Sequence, residues 1–364
     1  MSRRGENIYK RRDGRWEGRY IKERKEGGVI RYGYIYGKKY REVKQSLLKK
    51  KLEFSYEQKQ NTGNYAGTFR EWTCEWLNGS VVPSTKPSTY ASYENKLRLH
   101  LLPALGDKKL VYISKNDIQI LFSVLEKKLK PSSVHAIFRV LRTCFRHAVL
   151  ENKITNNPTD NIRLPKAMTS KARALDQQEQ RVLSDVAKED TEGLPILMAL
   201  ETGMRIGEIS GLKWSDIDFS KKKIHVNRTL QRLPMGNGYT KIIELCPKTI
   251  MSRRVIPLSK KLKALLLSKR KEKQGDYVFG KKNKWTEPRL LSYHFQRLAK
   301  KAKIKGVSFH SLRHSFATRC LEFGITIASI SSLLGHSSVK MTLDIYTHSS
   351  LKEEIRAIEK LSSF

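Results

Sequence analysis

Residues 310–320 read HSLRHSFATRC, and residues 333–348 read LLGHSSVKMTLDIYTH. Apolar positions in these segments recur at helical spacing, and His310, Arg313, His336 and Tyr346 are set among them. His310 and Arg313 stand three apart, which puts them on one helical face. His336 follows Gly335 at a helix junction, and Tyr346 comes ten residues later. A tyrosine gathered with cations and imidazoles has two readings. It is a packing residue with a wet hydroxyl, or a nucleophile that awaits an anion.

Upstream, ALETGMRIGEISGLKW sets Arg205 on a helix-like pattern among small and apolar neighbours. A buried arginine there requires an anion or a carboxylate. Glu208, three residues on, is a candidate partner and orienter. Lys248 follows the β-type run IIELCP and precedes SRRVIPL, which places it at a β-turn. Taken alone it reads as an exposed lysine, and each of the other positions also has a dull explanation.

The chain as a whole narrows the choice. Its 364 residues exceed one ordinary core, so two or three domains are expected. Net charge is +37. Residues 1–60 carry 19 basic against 8 acidic side chains, residues 61–172 carry 17 against 8, and residues 173–364 carry 36 against 19. The excess is spread along the chain, as contact with a long polyanion by several modules would require. The blander alternative is a solubility device or a binder of anionic membranes. Cys74, Cys144, Cys246 and Cys320 lie far apart with no CxxC pair, and read as small buried hydrophobes in a reducing compartment. The start, MSRRGENIYKRRDGRW, has no apolar core region and is no signal peptide. No apolar run approaches membrane-spanning length. An intracellular, soluble protein is expected.

Residues 8–57 alternate in short β-type runs, IYKRRDGRWEGRYIK and GVIRYGYIYG, before the helical YREVKQSLLKKKLEF. Asp13-Gly14 and Gly27-Gly28 are turn signals. A small three-stranded sheet with one packing helix is expected, its aromatics alternating with Arg and Lys. One face would lie on the helix and a basic face would stay free, suited to a DNA groove. Core aromatics with solvated charges between them are the alternative. EQKQNTGN at 57–64 reads as a linker. From Thr68 to about Pro158 four segments carry apolar residues at three- and four-residue spacing, an all-α domain. Ser114 and Ser132 sit where N-caps belong, and Gly106 and Pro131 punctuate helix ends. NIRLPKAMTSKARAL reads as a basic connector. Beyond Leu175 the pattern is mostly helical with β runs in KKKIHVNR and KIIELCPKTIMSRRVIPL. The expectation is a multidomain α+β chain: a sheet domain at 1–60, a helical domain at 65–160 and a mostly α domain with a small antiparallel sheet at 173–364.

Taken in order, TGMRIGEISGLKW, PKTIMSRRVIPL, FHSLRHSFAT and LLGHSSVKMTLDIYTH resemble the boxes of the tyrosine recombinase (phage integrase) family. The helical segment resembles that family's core-binding, SAM-like domain, and residues 8–57 its arm-binding sheet domain. The resemblance implies a catalytic set of Arg205, Lys248, His310, Arg313, His336 and Tyr346. Ser311 departs from the Asp that many relatives carry there, and a local packing or capping difference is expected.

The implied activity is site-specific DNA breakage and rejoining that integrates and excises a mobile element of a phage or conjugative transposon. Tyr346 would hold the cut strand as a 3′-phosphotyrosine. Arg205 and Arg313 would cradle the phosphoryl oxygens, since a planar guanidinium fork matches phosphate. His310 would accept the tyrosine proton, Lys248 would protonate the leaving 5′-oxygen, and His336 would hydrogen-bond a non-bridging oxygen. With cations supplied by side chains, no metal is expected. With no GxxxxGK[ST] loop, no ATP is expected either. Expected partners are double-stranded DNA at core and arm sites, a homotetramer on DNA, and DNA-bending or excision accessory proteins. The tail SSLKEEIRAIEKLSSF carries Leu351, Ile355, Ile358 and Leu361 at helical spacing. It would dock on a neighbouring protomer, or fold on its own domain. The implied setting is the bacterial cytoplasm, at the nucleoid. A type IB topoisomerase shares the chemistry but reseals the same strands, and a chromosome-dimer resolvase generally lacks the N-terminal sheet. A non-enzymatic DNA-binding regulator leaves the six-residue set unexplained.

Overall fold

A computed structural model describes residues 7–24, 30–59, 65–165, 173–235, 239–245, 253–272, 275–281 and 284–335. The chain divides into two compact units, Met1–Thr169 and Ser170–Phe364.

In the first unit, strands β1 (Ile8–Lys10), β2 (Trp16–Arg24) and β3 (Ile30–Gly37) form an antiparallel sheet in the order β1-β2-β3. Gly14, at φ +81°, makes the left-handed turn between β1 and β2 that a side chain would resist. Helix α1 (Tyr40–Lys59) packs on one face, where Ile8, Val43 and Leu47 are buried. The helix runs through Glu57–Lys59, residues read above as linker. Gly27-Gly28 lie outside the described residues.

Helices α2 (Phe69–Trp76), the short α3 (Val82–Ser84), α4 (Pro87–Lys96), the short α5 (Leu102–Leu105), α6 (Lys115–Lys128) and α7 (Pro131–Leu150) enclose a separate core. Phe69, Trp72, Trp76, Leu101 and Phe145 are fully buried in it. Ser114 caps α6 by accepting the Asp117 N–H at 3.2 Å, and Asp117 answers with a bond from the Ser114 N–H at 2.9 Å. Ser132 is not an N-cap. Helix α7 begins at Pro131, with Lys130 in the cap position, because the proline ring presets φ for the first helical residue and lacks the N–H that would be orphaned there.

In the second unit, α8 (Gln177–Lys188) opens with a capping box from Asp176 to Glu179. Then come α9 (Leu194–Thr202), α10 (Ile206–Ser210), and strands β4 (Ile217–Asp218), β5 (Lys223–Val226), β6 (Thr229–Pro234), β7 (Thr240–Leu245) and β8 (Arg254–Pro257). Helix α11 (Lys260–Lys271), the two-residue strands β9 (Gly280–Lys281) and β10 (Lys284–Trp285), and helices α12 (Pro288–Lys301), α13 (Phe309–Glu322) and α14 (Ile327–Leu334) complete it. Strands β4, β5 and β8 form one antiparallel sheet, while β6 and β7 form a hairpin inserted between β5 and β8. The α+β, multidomain expectation thus describes the fold. No helix of the described residues is long and apolar enough to cross a membrane. Cys144 and Cys320 are buried as expected, but Cys74 is exposed on α2, and Cys246 lies outside the described residues.

Gly207 marks where α10 and the hairpin touch. A Cβ there would stand 2.4 Å from the Leu230 carbonyl oxygen and 2.5 Å from Thr229 Oγ1, so β6 would have to move. Gly207→Ala is expected to cost about 1–3 kcal/mol, read as a lowered melting temperature by calorimetry. An unchanged melting temperature would show that the contact yields without strain.

Candidate active site

Arg205 lies between α9 and α10. The expected helical placement is wrong: Gly203 ends α9 in the left-handed region at φ +64°, and Arg205 itself is extended at φ −73°, ψ 151°. The extended backbone lets Glu208 reach back. Its carboxylate accepts the Arg205 backbone N–H at Oε2 (2.8 Å) and Arg205 Nη1 at Oε1 (2.9 Å). The expected partnership of Arg205 and Glu208 is present.

Glu208 has a second partner. Arg254, the first residue of β8, donates from Nη1 to Oε1 at 3.0 Å and from Nη2 to Oε2 at 2.8 Å. Both side chains are buried, 4% exposed for Arg254 and 7% for Glu208. Burial pushes the Glu208 carboxyl up. The bonds and charge of Arg254, then the charge of Arg205, overcome this and pull it down to about 2. A carboxylate whose folded value lies below its unfolded one stabilises the fold above the unfolded value, and that contribution fades as pH falls toward 2.

Helix α13 begins at Phe309, with Ser308 in the cap position. Ser311 is buried and its Oγ accepts the Ser308 N–H at 3.1 Å, so it takes part in capping the helix. Arg313, on the same helix, is buried. It donates from Nη1 to the Gly203 carbonyl at 2.8 Å and from Nη2 to the Leu334 carbonyl at 2.7 Å. Arg254 Nε donates to the Leu333 carbonyl at 2.6 Å, and Arg205 Nη2 lies 3.5 Å from the Gly335 carbonyl. Three guanidiniums therefore meet three successive carbonyls at the C-terminal end of α14, where the helix dipole is negative. Burial and then the Arg205 charge draw Arg313 down to about 9, so it stays cationic at neutral pH.

His310 is an exposed residue at the first turn of α13, and its ring meets that of His314 edge-on at 4.7 Å. Although the residue as a whole keeps access to solvent, partial burial of its ring, then the charges of His314, Arg313 and Arg205, hold His310 down at about 4. It is therefore neutral at pH 7 and able to accept a proton. The structure brings Arg205, His310 and Arg313 together. Lys248, between β7 and β8, lies outside the described residues, as do His336, Tyr346 and the tail at 351–364. Gly335 closes α14 at φ +64°. Sequence reasoning missed Arg254, although Ile256, two residues on, marks the inward face of the same strand.

Among the described residues, two basic surfaces stand out in the first unit. Lys96 on α4 and Arg139, Arg142 and Arg146 on α7 line a groove of about 800 Å³. On the open face of the sheet, Tyr32, Tyr34 and Tyr36 are exposed. The Arg19 guanidinium lies 4.4 Å from the Tyr32 ring centroid, and that of Arg11 lies 5.4 Å from Tyr36. The aromatics thus divide. Trp16 and Tyr20 pack toward α1, and the β3 tyrosines share the free face with arginines.

An arginine pair gathered at a helix end beside a neutral histidine can hold an anion. Residues 173–353 match the family model described as the phage integrase family, and residues 68–125 match the N-terminal SAM-like domain of phage integrases. The chain belongs to the phage integrase, or tyrosine recombinase, family of DNA breaking and rejoining enzymes. It is 29% identical over 316 residues to a XerC-like tyrosine recombinase of Caldanaerobacter subterraneus subsp. tengcongensis, covering 79% of this chain and 81% of that one. It is 26% identical over 288 residues to the ICEBs1 integrase of Bacillus subtilis, covering 72% and 74%. Among solved structures, the Tn1549 transposon integrase in complex with a circular intermediate DNA matches at TM-score 0.69 and 23% identity, covering 81% of this chain and 99% of that one. A lambda integrase tetramer bound to a Holliday junction matches at TM-score 0.62 and 21% identity, covering 94% and 96%. These two likenesses establish the fold.

The depressed His310 value makes a direct prediction. In the DNA-free protein, the imidazole resonance assigned by His310→Gln should titrate well below the ordinary 6.5, near 4. A midpoint at or above 6.5 by NMR would contradict the charge arrangement described.

Proposed function

We propose that the chain is the integrase of a mobile genetic element and cleaves its attachment sites with Tyr346 as nucleophile. The observation that carries this reading is the convergence of Arg205 and Arg313, from elements far apart in sequence, beside a neutral His310. Relatives named as the ICEBs1 integrase and as transposases of Tn916 and Tn1545 support the mobile-element assignment.

In the proposed cleavage, the Tyr346 oxygen bonds to the scissile phosphorus as the bond to the 5′-oxygen breaks. His310 takes the tyrosine proton, and Lys248 delivers one to the departing 5′-oxygen. Arg205 and Arg313 hold the non-bridging oxygens as charge builds on them, and His336 adds a further donor. Attack by the 5′-hydroxyl of another strand on the phosphotyrosine reverses these steps and rejoins DNA. The side-chain cations do the electrostatic work that a divalent ion would otherwise do, so no metal or nucleotide enters the scheme.

Residues 65–160 would act as the core-binding domain, with the Lys96–Arg146 groove against DNA phosphates. Residues 1–60 would act as the arm-binding domain, presenting the Tyr and Arg face of the sheet to a DNA groove. Residues 173–364 would be the catalytic domain, and its tail would link protomers into a tetramer on DNA, with bending or excision factors as accessory partners. The setting is the bacterial cytoplasm.

Two tests follow from this scheme. Incubation with nicked suicide duplexes carrying candidate attachment sites should trap a covalent protein–DNA adduct, in excess EDTA and without nucleotide. Tyr346→Phe should abolish the adduct while DNA binding by gel shift persists. Adducts at wild-type level from that variant would remove Tyr346 from the nucleophile's role. Second, deleting residues 1–60 should spare cleavage of a short core duplex but weaken integration between full-length sites, since a tethered module supplies effective concentration. Identical footprints for the full chain and the truncation would show that the sheet reads no separate arm site.

A further inference from the structure

Arg254 has no role in the scheme above, yet it is among the most deeply placed charges of the second unit. Each of its guanidinium nitrogens is engaged: Nε with the Leu333 carbonyl, Nη1 and Nη2 with the two oxygens of Glu208. These bonds tie it to Glu208 and to the end of α14. Arg205 differs. Its side chain is 37% exposed, bonds Oε1 of Glu208 through Nη1, lies 3.5 Å from the Gly335 carbonyl through Nη2, and keeps Nε unengaged among the described residues.

Glu208 is needed to orient Arg205, because it fixes both the backbone N–H and one guanidinium nitrogen. A lone carboxylate in that place would also cancel the charge it orients. In a partly buried site, two opposite unit charges in contact neutralise one another strongly and leave little field for a third ion. Arg254 resolves the conflict. It binds Glu208 bidentately, the strongest geometry available to a carboxylate, and so carries the neutralisation itself. Among the described residues, the cluster then holds three guanidiniums against one carboxylate, an excess suited to a phosphate. Gly335 is shaped by the same residue: a Cβ there would stand 3.0 Å from Arg254 Cδ and 3.2 Å from Nη1.

We propose that Arg254 is a positioning residue for DNA cleavage, which neutralises Glu208 so that the charge of Arg205 remains available to the scissile phosphate. This rests on the recombinase reading of the site. It differs from a packing role, in which Arg254 merely keeps the end of α14 in place through Leu333. A charge-balancing role depends on the charge of the substrate, and a packing role does not.

The test compares full-length wild type, Arg254→Met, Arg254→Lys and the double variant Arg254→Met/Glu208→Gln, each checked for folding by its thermal melt at the assay temperature. The probe is a nicked suicide duplex on which the wild type forms adduct, used in two forms, one normal and one with an uncharged methylphosphonate at the scissile position. On the normal duplex, Arg254→Met should slow adduct formation on the order of 10²-fold, as for loss of one charged transition-state donor. Arg254→Lys keeps the charge, and the double variant removes the carboxylate along with it. Arg254→Lys should stay within about tenfold of wild type, short of that loss, and the double variant, which also loses an oxygen that orients Arg205, should be slower than wild type but faster than Arg254→Met. On the methylphosphonate duplex, the gap between Arg254→Met and wild type should shrink to a few-fold, because less negative charge then calls on Arg205.

An equal loss on both duplexes would overturn the proposal in favour of packing. So would a folded double variant as slow as the loss expected of Arg254→Met, or an Arg254→Met variant at wild-type rate. If Arg254→Met does not fold, the lysine and double variants decide the matter on the same two duplexes. Absence of any wild-type adduct would instead remove the recombinase reading, and this inference with it.

Discussion

The carboxylate of Glu208 is the constraint on which the second unit depends. It is buried, it accepts from the backbone and side chain of Arg205, and it is clasped by both ends of Arg254. Breaking such a pair by removing one partner typically costs about 3–5 kcal/mol, because the remaining charge is stranded in a low dielectric. The interaction joins three places in the chain: the start of α10, the first residue of β8 and, through Arg254 Nε, the end of α14. It can be satisfied only when all three are in register. That makes it a poor source of net stability but a strong selector of one arrangement.

What is gained is positive potential held in fixed geometry. The C-terminal carbonyls of α14 would ordinarily attract cations loosely at a surface. Here Arg254, Arg313 and Arg205 address Leu333, Leu334 and Gly335 in turn. Arg313 is sunk so far that its cationic form is disfavoured by burial and by Arg205, and His310 is held neutral for the same reasons. A phosphate brought to this place would relieve the repulsion between the arginines. Under the proposed function, that relief would lower the barrier to phosphoryl transfer.

In the first unit, charge is kept near the surface. The groove beside α4 and α7 gathers Lys96, Arg139, Arg142 and Arg146, and burial followed by the nearby Arg139 lowers Lys96. On the small sheet, arginines lie over tyrosine rings, so the rings limit the rotamers of the charges they carry. Both are surfaces that a polyanion would find already arranged, in keeping with the basic excess along the whole sequence.

Much of this was legible in the sequence. The alternation in residues 8–37 and the three- and four-residue spacing beyond Thr68 gave the sheet and helices, because burial of one face imposes a period on any strand or helix. The spacing of Arg205 to Glu208 and of His310 to Arg313 was readable for the same reason. Ser132 was misread because a proline at the first helical position outweighs a neighbouring serine as a start signal. Arg205 was misread as helical because a left-handed Gly203 is invisible in an apolar pattern. Arg254 was beyond reach. In SRRVIPL the strand period turns Arg254 inward with Ile256, and Arg253 outward with Val255. Nothing local, however, makes a buried arginine permissible. Its licence is the Glu208 carboxylate, 46 residues away. Local periodicity fixes which way a side chain points, whereas only tertiary structure decides what charge it meets there.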